Sequence, residues 1–320
     1  MKPKVLLVQE IHEAGVDLLK QEVEVIMPKS TKPEDIKAAI KECAGVIVRN
    51  QKLTKDIIEA APNLKVIGRH GAGFDNIDLQ AAADKGLPVV YAPGSNNISV
   101  AEGAVGLMLA LAKKIPEADN KLKKENDFQF RVRVRTLELN QKTLGLIGFG
   151  QIARHVCQIC KFGFNMNVIT YDKFISPEIP KEYGVKLVDD LDVLLSQSDF
   201  VSLHVPSTPE TFQLINQETL KKMKKTAFFI NTARGPVVDE KALIKALTQK
   251  EIAGAGLDVF DPEPPNADNP LFTMNNVVLS PHMCAHTDEG LKRMAVMVVH
   301  GVLDVLNDRS PQYVANKHLL

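Results

Sequence analysis

The sequence has no tryptophan, no net charge and few cysteines. Its 320 residues include 13 phenylalanines and 4 tyrosines, so the core must be mostly aliphatic. Lysine and arginine total 39, as do aspartate and glutamate. Proteins that bind nucleic acid through phosphate contacts usually carry a basic excess, so we expect no nucleic-acid partner. Four cysteines are too few to form a disulfide framework in a chain of this length.

Long hydrophobic runs are also missing. The longest wholly apolar run, counting glycine, extends from Gly103 to Ala112, which is shorter than the roughly 20 residues that span a bilayer. The segment Met1–Glu10 lacks the apolar core and the cleavage site of a signal peptide. With 45% hydrophobic and 24% charged residues, the composition is typical of a globular protein. We therefore expect a cytoplasmic protein of two domains with no membrane partner.

Short apolar runs alternate with amphipathic stretches in both halves of the chain. The runs begin at Val5, Val46, Val66, Val89, Thr143, Val168, Phe200, Phe228 and Val277. This alternation predicts parallel sheets with helices on their faces. Residues 99–113 differ, because they are apolar almost all round and start with a capping-box pattern of Ser99 and Glu102. They predict a helix that is buried between domains or subunits.

The strongest local motif is GLIGFGQIA, residues 145–153, between a predicted strand and a predicted helix. Gly148 permits a tight turn, and Gly150 leaves room for a pyrophosphate at the helix N-terminus. Asp172 lies at the end of the next predicted strand. A carboxylate there would accept hydrogen bonds from ribose hydroxyls and repel a 2′-phosphate. The motif therefore predicts a dinucleotide site that takes NAD.

Three charged side chains follow later predicted strands, namely Arg234, Glu263 and His282. Ligands bind at the carboxyl ends of strands in open α/β sheets, so we expect these three to converge. Arginine can hold a carboxylate through two parallel hydrogen bonds, and histidine is the usual proton carrier near neutral pH. A nearby carboxylate would favour the protonated histidine and fix its tautomer. Taken singly, each residue also fits a plain structural role as a salt bridge, a loop charge or a turn residue.

In their order and spacing, these segments resemble the D-2-hydroxyacid dehydrogenase family over nearly the whole chain. The segments are GRHGAGFDNID (68–78), PGSNNISVAE (93–102), LNQKTLGLIGFGQIA (139–153), TYD (170–172), NTARGPVVDE (231–240), LDVFDPEPP (257–265) and SPHMCAHT (280–287). The resemblance implies an α/β fold of two doubly wound parallel-sheet domains. A Rossmann cofactor domain (99–286) would be inserted into a flavodoxin-like substrate domain (1–98 and 287–320), with the chemistry in the cleft between them. It also implies a homodimer.

The resemblance assigns a role to each residue of the catalytic set. His282 would exchange a proton with a 2-hydroxy or 2-keto acid, Glu263 would orient His282, and Arg234 would bind the substrate carboxylate while hydride passes to or from NAD. Cofactor contacts are implied for Gly148, Gly150, Gln151, Ile152, Asp172, His204, Val205, Pro206, Thr211, Thr232, Ala233, Arg234, Asp258, His282 and Ala285, with Asp258 at the nicotinamide carboxamide. Substrate contacts are implied for Arg49, Arg69, Gly71, Ala72, Gly73 and Arg234.

Within the family, segments 48–50, 68–69 and 136–144 are most similar to short phosphoglycerate dehydrogenases. Arg131 and Arg133 could reach a substrate phosphate across a dimer, or could lie on a solvated strand edge. Glyoxylate or hydroxypyruvate reduction stays open as an alternative, and so does an NAD(H)-sensing binding protein of the same fold. Three residues depart from the family pattern: Gln151 stands where arginine is common, Tyr91 where asparagine is common, and Cys284 where glycine is common. Cys284 could narrow the nicotinamide site.

Two patterns that resemble metal sites are interpreted otherwise. Cys157 and Cys160 have CxxC spacing, but a structural zinc site needs a second pair of ligands, so we expect them to pack as small hydrophobes. His282 and His286 flank Cys284 and would suit a metal-dependent hydrolase. The resemblance assigns His282 to proton transfer instead, so no metal is expected.

Overall fold

A computed structural model describes residues 2–320, which fall into two compact units. Unit 1 contains the described residues up to Asn96 together with His286–Leu320, and unit 2 is Asn97–Ala285. The sequence predicted domain boundaries after residues 98 and 286. Which unit binds which ligand stays a prediction.

The elements follow each other in the order that the apolar runs indicate. In the first part of unit 1 they are β1 (Lys4–Leu7), α1 (Glu13–Glu22), β2 (Glu24–Ile26), α2 (Pro33–Ile40), β3 (Gly45–Val48), α3 (Lys55–Glu59), β4 (Val66–Arg69), α4 (Leu79–Asp84) and β5 (Val89–Tyr91). In unit 2 they are α5 (Asn97–Lys113), α6 (Ile115–Glu125), α7 (Phe130–Arg133), β6 (Thr143–Ile147), α8 (Gln151–Gln158), β7 (Asn167–Tyr171), α9 (Glu178–Glu182), β8 (Lys186–Leu187), α10 (Leu191–Gln197), β9 (Phe200–Leu203), α11 (Gln217–Leu220), β10 (Phe228–Asn231), α12 (Glu240–Thr248), β11 (Gly254–Leu257) and β12 (Val277–Leu279). Short π and 3₁₀ turns span Ile159–Gly163, Gly235–Val237 and Pro270–Thr273. The last helix, α13 (Asp288–Leu306), belongs to unit 1.

Each unit is built on one parallel sheet. The strand order in unit 1 is β2-β1-β3-β4-β5, which is the flavodoxin-like order. The order in unit 2 is β12-β11-β10-β9-β6-β7-β8, which is the Rossmann order with one further strand. Inner strands such as β3 and β9 are buried along their whole length, as expected when helices cover both faces. The prediction of two doubly wound parallel-sheet domains is confirmed.

In the segment after β5, one local prediction is wrong and one of two alternatives is excluded. Helix α5 begins at Asn97, so Ser99 is a buried residue inside the helix and not its N-cap. In the turn that precedes the helix, the Ser95 hydroxyl donates to the Ala92 carbonyl. The alternating segment around Arg131 and Arg133 forms the short helix α7 and not a strand edge. Its C-terminal end is closed by the N–H of Val134, which donates to Phe130 O.

No helix among residues 2–320 is both long and apolar enough to cross a membrane.

Candidate active site

The glycine-rich turn between β6 and α8 has the geometry of an anion site. Gly148 has φ +88°, and a Cβ there would lie 2.8 Å from the carbonyl oxygen of His204. Gly150 precedes α8, which has no side-chain cap, and a Cβ at Gly150 would meet nothing within 4 Å. The N-terminus of α8 therefore has neither a side-chain cap nor a side chain at position 150 that would block it. Such a terminus suits a pyrophosphate.

Asp172 stands directly after β7 and is fixed by three backbone groups. Its Oδ2 accepts a hydrogen bond from the Phe149 N–H at 2.9 Å. Its Oδ1 accepts from the N–H groups of Phe174 at 2.9 Å and Ile175 at 3.2 Å. The carboxylate thus holds the glycine turn against the loop after β7. The sequence predicted a ribose contact for Asp172 and gave no sign of this structural role.

The loop after β9 lies against the same turn. The His204 N–H donates to Ile147 O at 2.8 Å, and Val205 Cγ1 lies 2.9 Å from the position of a Cβ at Gly148. The Ser202 hydroxyl is hydrogen bonded to His204 Nε2 at 2.9 Å. Burial lowers the pKa of His204 to about 4, so this histidine is neutral near pH 7. The Thr211 hydroxyl donates to Pro206 O at 2.6 Å and closes the loop.

Asn231 shapes the turn that carries Arg234 after β10. Its side-chain amide donates to Arg234 O at 3.0 Å, and its Oδ1 accepts from the Ala233 N–H at 3.0 Å. Thr232, in the same turn, has a buried hydroxyl with no hydrogen-bond partner in the described part of the chain. A buried hydroxyl without a partner is costly unless a ligand satisfies it. The predicted cofactor contact at Thr232 therefore fits this geometry.

His282 and Glu263 form a direct contact, as the sequence predicted. Nδ1 of His282 lies 2.8 Å from Glu263 Oε2, and Glu263 Oε1 accepts from the Phe260 N–H at 3.0 Å. Burial opposes ionisation of Glu263, but the hydrogen bond and charge of His282, the Phe260 N–H and Arg234 outweigh it and lower the pKa of this carboxyl. An ionised Glu263 needs a donor, so Nδ1 carries a proton and Nε2 is left for exchange with a ligand.

The two loops that carry Arg234 and Glu263 of the predicted catalytic set meet at Gly235. A Cβ on Gly235 would lie 1.8 Å from the Phe260 carbonyl oxygen. The backbone that follows Arg234 therefore packs directly on the backbone that leads to Glu263. The Asp258 N–H also donates to Asn231 O at 2.9 Å. These contacts bring Arg234, Glu263 and His282 together at the carboxyl edge of the unit 2 sheet.

Asp258 holds the loop that carries His282. Its carboxylate is buried and accepts from the N–H groups of Met283 at 2.8 Å and Cys284 at 3.1 Å. The sequence signalled only that Asp258 follows a strand, and we predicted a contact with the nicotinamide carboxamide. The structure adds a second role that no local pattern indicates. Ala285 ends this loop, and Gln151 and Ile152 lie in the first turn of α8.

The residues predicted to bind substrate in unit 1 lie at the carboxyl ends of β3 and β4. Arg49 Nη1 donates to Glu10 O at 2.9 Å, and Arg69 Nε donates to Asn76 Oδ1 at 2.9 Å. Asn76 in turn donates to Arg49 O at 3.0 Å. Gly71, with φ +147°, leaves space that the Arg69 guanidinium occupies, since a Cβ would lie 2.5 Å from Nη1. Asn76 was missed by sequence reasoning.

His70 lies beside both arginines and is almost fully buried. Burial, followed by the charges of Arg49 and Arg69, lowers its pKa to about 3. Its Nε2 has no hydrogen-bond partner among residues 2–320. Two guanidinium groups next to a neutral histidine create a positive local potential, which attracts an anion.

The two cysteines of the CxxC pattern are both buried in the core. Cys157 lies in α8, and Cys160 lies in the π turn that follows it. Burial raises the pKa of Cys157 to about 11 and that of Cys160 to about 12, so both thiols stay protonated. No group of three or more histidine, cysteine or acidic side chains in the described chain is arranged to hold a metal ion.

Comparison with known proteins identifies the family. Residues 105–284 match the family model described as D-isomer specific 2-hydroxyacid dehydrogenase, NAD binding domain. The chain belongs to this family. The resemblance inferred from the sequence is confirmed, and an NAD-binding domain is confirmed with it.

The relatives and solved structures that the chain resembles are named for different activities. The chain is 44% identical to D-3-phosphoglycerate dehydrogenase of Methanocaldococcus jannaschii, over 98% of this chain and 59% of the relative. It is 39% identical to glyoxylate reductase of Thermofilum pendens, over 100% of this chain and 96% of the relative. Among solved structures, D-lactate dehydrogenase from Escherichia coli superimposes with a TM-score of 0.85 at 28% identity, covering 98% of this chain and 100% of that one. The chain spans only 54–59% of the length of three D-3-phosphoglycerate dehydrogenases that it matches.

Proposed function

We propose that the protein is an NAD-dependent dehydrogenase of D-2-hydroxy acids. The observation that carries the proposal is the 2.8 Å contact between His282 Nδ1 and Glu263 Oε2, in the same unit as the open glycine turn. A histidine held by a carboxylate is suited to exchange a proton with a substrate hydroxyl. The glycine turn, Asp172 and the buried Thr232 hydroxyl fit a dinucleotide.

Each side chain then has one task in the reaction. NAD(H), when bound, supplies or accepts the hydride at C2 of the acid. In reduction, His282 donates the Nε2 proton to the developing alkoxide, and in oxidation it takes the hydroxyl proton back. Glu263 keeps the second proton on Nδ1 and stabilises the imidazolium. Arg234 binds the substrate carboxylate and stabilises charge on the neighbouring oxygen.

For the substrate, we propose the pair of 3-phosphoglycerate and 3-phosphohydroxypyruvate. The support is the similarity to D-3-phosphoglycerate dehydrogenases and, within unit 1, the cluster of Arg49, Arg69 and neutral His70, which suits an anionic ligand. Glyoxylate or hydroxypyruvate is the alternative, supported by the glyoxylate reductase relatives.

A substrate panel tests this proposal. Initial rates with NADH are measured for 3-phosphohydroxypyruvate, hydroxypyruvate and glyoxylate by the absorbance of the reduced cofactor. The highest kcat/KM with the phosphorylated acid is expected. A higher value with glyoxylate would establish the alternative. NADH binding without turnover of any 2-keto acid would favour an NAD(H)-sensing protein.

We expect the enzyme to use NADH more efficiently than NADPH. The three N–H bonds to Asp172 fix a carboxylate next to the glycine turn, and a 2′-phosphate placed there would be repelled. The ratio of kcat/KM for the two cofactors, measured with one 2-keto acid, checks this. Asp172→Asn should raise the relative use of NADPH, whereas Asp189→Asn, an exposed acid after β8, should leave the ratio unchanged. Equal efficiency with both cofactors in the unmodified enzyme would contradict the prediction.

We further propose a homodimer, on different grounds from those in the sequence. Helix α5 is largely buried within unit 2, so its apolar character needs no partner subunit. The segment around it exposes large apolar side chains, each at least 41% exposed: Ile98, Ile115, Leu122, Phe128, Val132 and Leu137. Such a concentration of exposed apolar surface marks an interaction site.

Light scattering checks the dimer against the 35.2 kDa mass of one chain. Twice that mass is expected at micromolar concentration. Val132→Asp should shift the protein towards monomer, because a charge would be buried in the interface. Phe162→Asp, an equally exposed apolar position outside the segment, serves as the control. A monomer mass for the unmodified protein would disprove the proposal.

We also propose a cytoplasmic location. All four cysteines are free thiols, and reducing compartments keep thiols in this state.

A further inference from the structure

The loop that carries His282 packs against helix α5 at one glycine. A Cβ on Gly103 would lie 2.5 Å from Cys284 Sγ, 2.6 Å from its Cβ and 3.2 Å from its Cα. Real Cβ atoms essentially never approach another heavy atom within 3.0 Å. The Cys284 side chain therefore fills the space that any larger residue at position 103 would need. Gly103 on α5 thus stands directly opposite the Cys284 side chain.

Cys284 is also fixed from the other side. Its N–H donates to Asp258 Oδ2, and the neighbouring Met283 N–H donates to Oδ1. Burial, and then the charge and hydrogen bond of Asp258, raise the pKa of the Cys284 thiol. The thiol therefore stays protonated and fills space without acting as a nucleophile. One residue is thus held between a buried carboxylate and a helix.

His282 depends on this anchoring because of its backbone conformation. Its φ is +53°, a region that non-glycine residues adopt only when their surroundings impose it. The His282 N–H donates to Ser280 O at 3.0 Å, and the Ser280 N–H donates to Leu257 O at 2.9 Å. The turn is therefore tied to β11 before His282 and to Asp258 and α5 after it. A shift at Cys284 would move the imidazole relative to Glu263.

We propose that Gly103 and Cys284 form a matched steric pair that positions His282 against Glu263. Neither residue is catalytic, since each acts through the loop. The ionisable groups around this loop are Glu263, which touches His282, Asp258 beneath Cys284, Arg234, which acts on Glu263, and the Cys284 thiol itself. The kinetic readout of this proposal rests on the proposed dehydrogenase function.

Paired variants test the steric match. Gly103→Ala should lower kcat/KM for the 2-keto acid by about 10- to 100-fold, since a displacement on the order of 1 Å can cost that much. Combining Gly103→Ala with Cys284→Gly removes the two closest contacts and should restore most of the rate. Cys284→Ser keeps a side chain of similar size, with an O–H donor in place of the S–H group. Its kcat/KM should stay within about threefold of that of the unmodified enzyme. An equal loss from Gly103→Ala with and without Cys284→Gly would overturn the proposal.

Gly106→Ala is the matched control. Gly106 lies one turn further along α5, and a Cβ there would meet nothing within 4 Å. The same substitution in the same helix should leave both kcat/KM and the unfolding temperature at least as high as in the unmodified enzyme, because alanine favours helix over glycine. A loss equal to that of Gly103→Ala would show that any change in α5 impairs the enzyme, and the pair would be rejected.

The Nδ1 signal of His282 gives a readout that needs no turnover. Imidazole nitrogen signals are recorded by NMR at one fixed pH in the cofactor-free protein, with His282 assigned by its loss in His282→Asn. In Gly103→Ala, and more weakly in Cys284→Gly, we expect the Nδ1 signal to shift as the hydrogen bond to Glu263 loosens. It should return in the double variant. An unchanged signal would reject the pairing, whereas a shift in a protein that reduces no 2-keto acid would reject only the proposed function. If Gly103→Ala does not fold, Cys284→Gly alone decides by the same signal.

Discussion

Replacement of His282 by asparagine should lower turnover by about 10²–10⁴, the usual contribution of a general acid. Asparagine can occupy the space and can donate to Glu263, but it has no proton to exchange with a substrate oxygen. NADH affinity, measured by quenching of the cofactor fluorescence, should stay close to that of the unmodified enzyme. His300→Asn, at an exposed histidine in unit 1, is the control and should retain full activity. Turnover within a few-fold of normal in His282→Asn would remove this residue from the mechanism.

Glu263, which contacts His282, should affect the pH dependence of the reaction more than its rate. Glu263→Gln keeps an oxygen that can accept the Nδ1 proton, so the loss of turnover should be smaller. It removes the negative charge that stabilises the imidazolium. The protonated donor is then depleted at a lower pH, and the pH–rate profile for reduction should move in that direction. Asp261→Asn, two residues away and exposed, should leave the profile in place. An unmoved profile in Glu263→Gln would argue against the pairing.

The sequence predicted the parts of the site that depend on strand ends and glycine. Gly148 and Arg234 each follow a buried apolar run, His282 follows the half-buried strand β12, and parallel strands bring their carboxyl ends to one edge of the sheet. The alternation of apolar runs with amphipathic stretches was therefore sufficient to group these residues. The family resemblance then gave them roles that no spacing could assign.

The residues that support this set could not be predicted in the same way. Asp258 accepts hydrogen bonds from the Met283 and Cys284 N–H groups, and Cys284 contacts Gly103. Both interactions join segments that are far apart in the chain. Neither leaves a local pattern, because hydrogen bonding to backbone N–H groups does not depend on the identity of the donor residue. Asn76, which links the segments of Arg49 and Arg69, is hidden for the same reason. The start of α5 was misplaced because the helix begins at Asn97, two residues before the Ser99 of the capping pattern.

Gly235→Ala should remove most activity although residue 235 touches no ligand in the proposed mechanism. The new Cβ would lie 1.8 Å from the Phe260 carbonyl oxygen and 2.2 Å from its carbon. Both are backbone atoms that lead directly to Glu263, so no side chain can rotate away. The Arg234 and Glu263 loops must separate, which should lower kcat by about 10²-fold or more. Overpacking of this kind also costs about 1–3 kcal/mol of stability, so the unfolding temperature should fall.

Two comparisons make this result specific. Gly163→Ala introduces the same methyl group where nothing lies within 4 Å, and it should change neither kcat nor the unfolding temperature. Arg234→Gln should raise KM for the 2-keto acid while the pH–rate profile keeps its shape, because Glu263 and His282 stay in contact. In Gly235→Ala the profile should also move to lower pH, since Glu263 itself is displaced. A folded Gly235→Ala enzyme with normal kcat would show that the two loops act independently, and that the close contact at Gly235 does not couple the carboxylate-binding arginine to the proton-transfer pair.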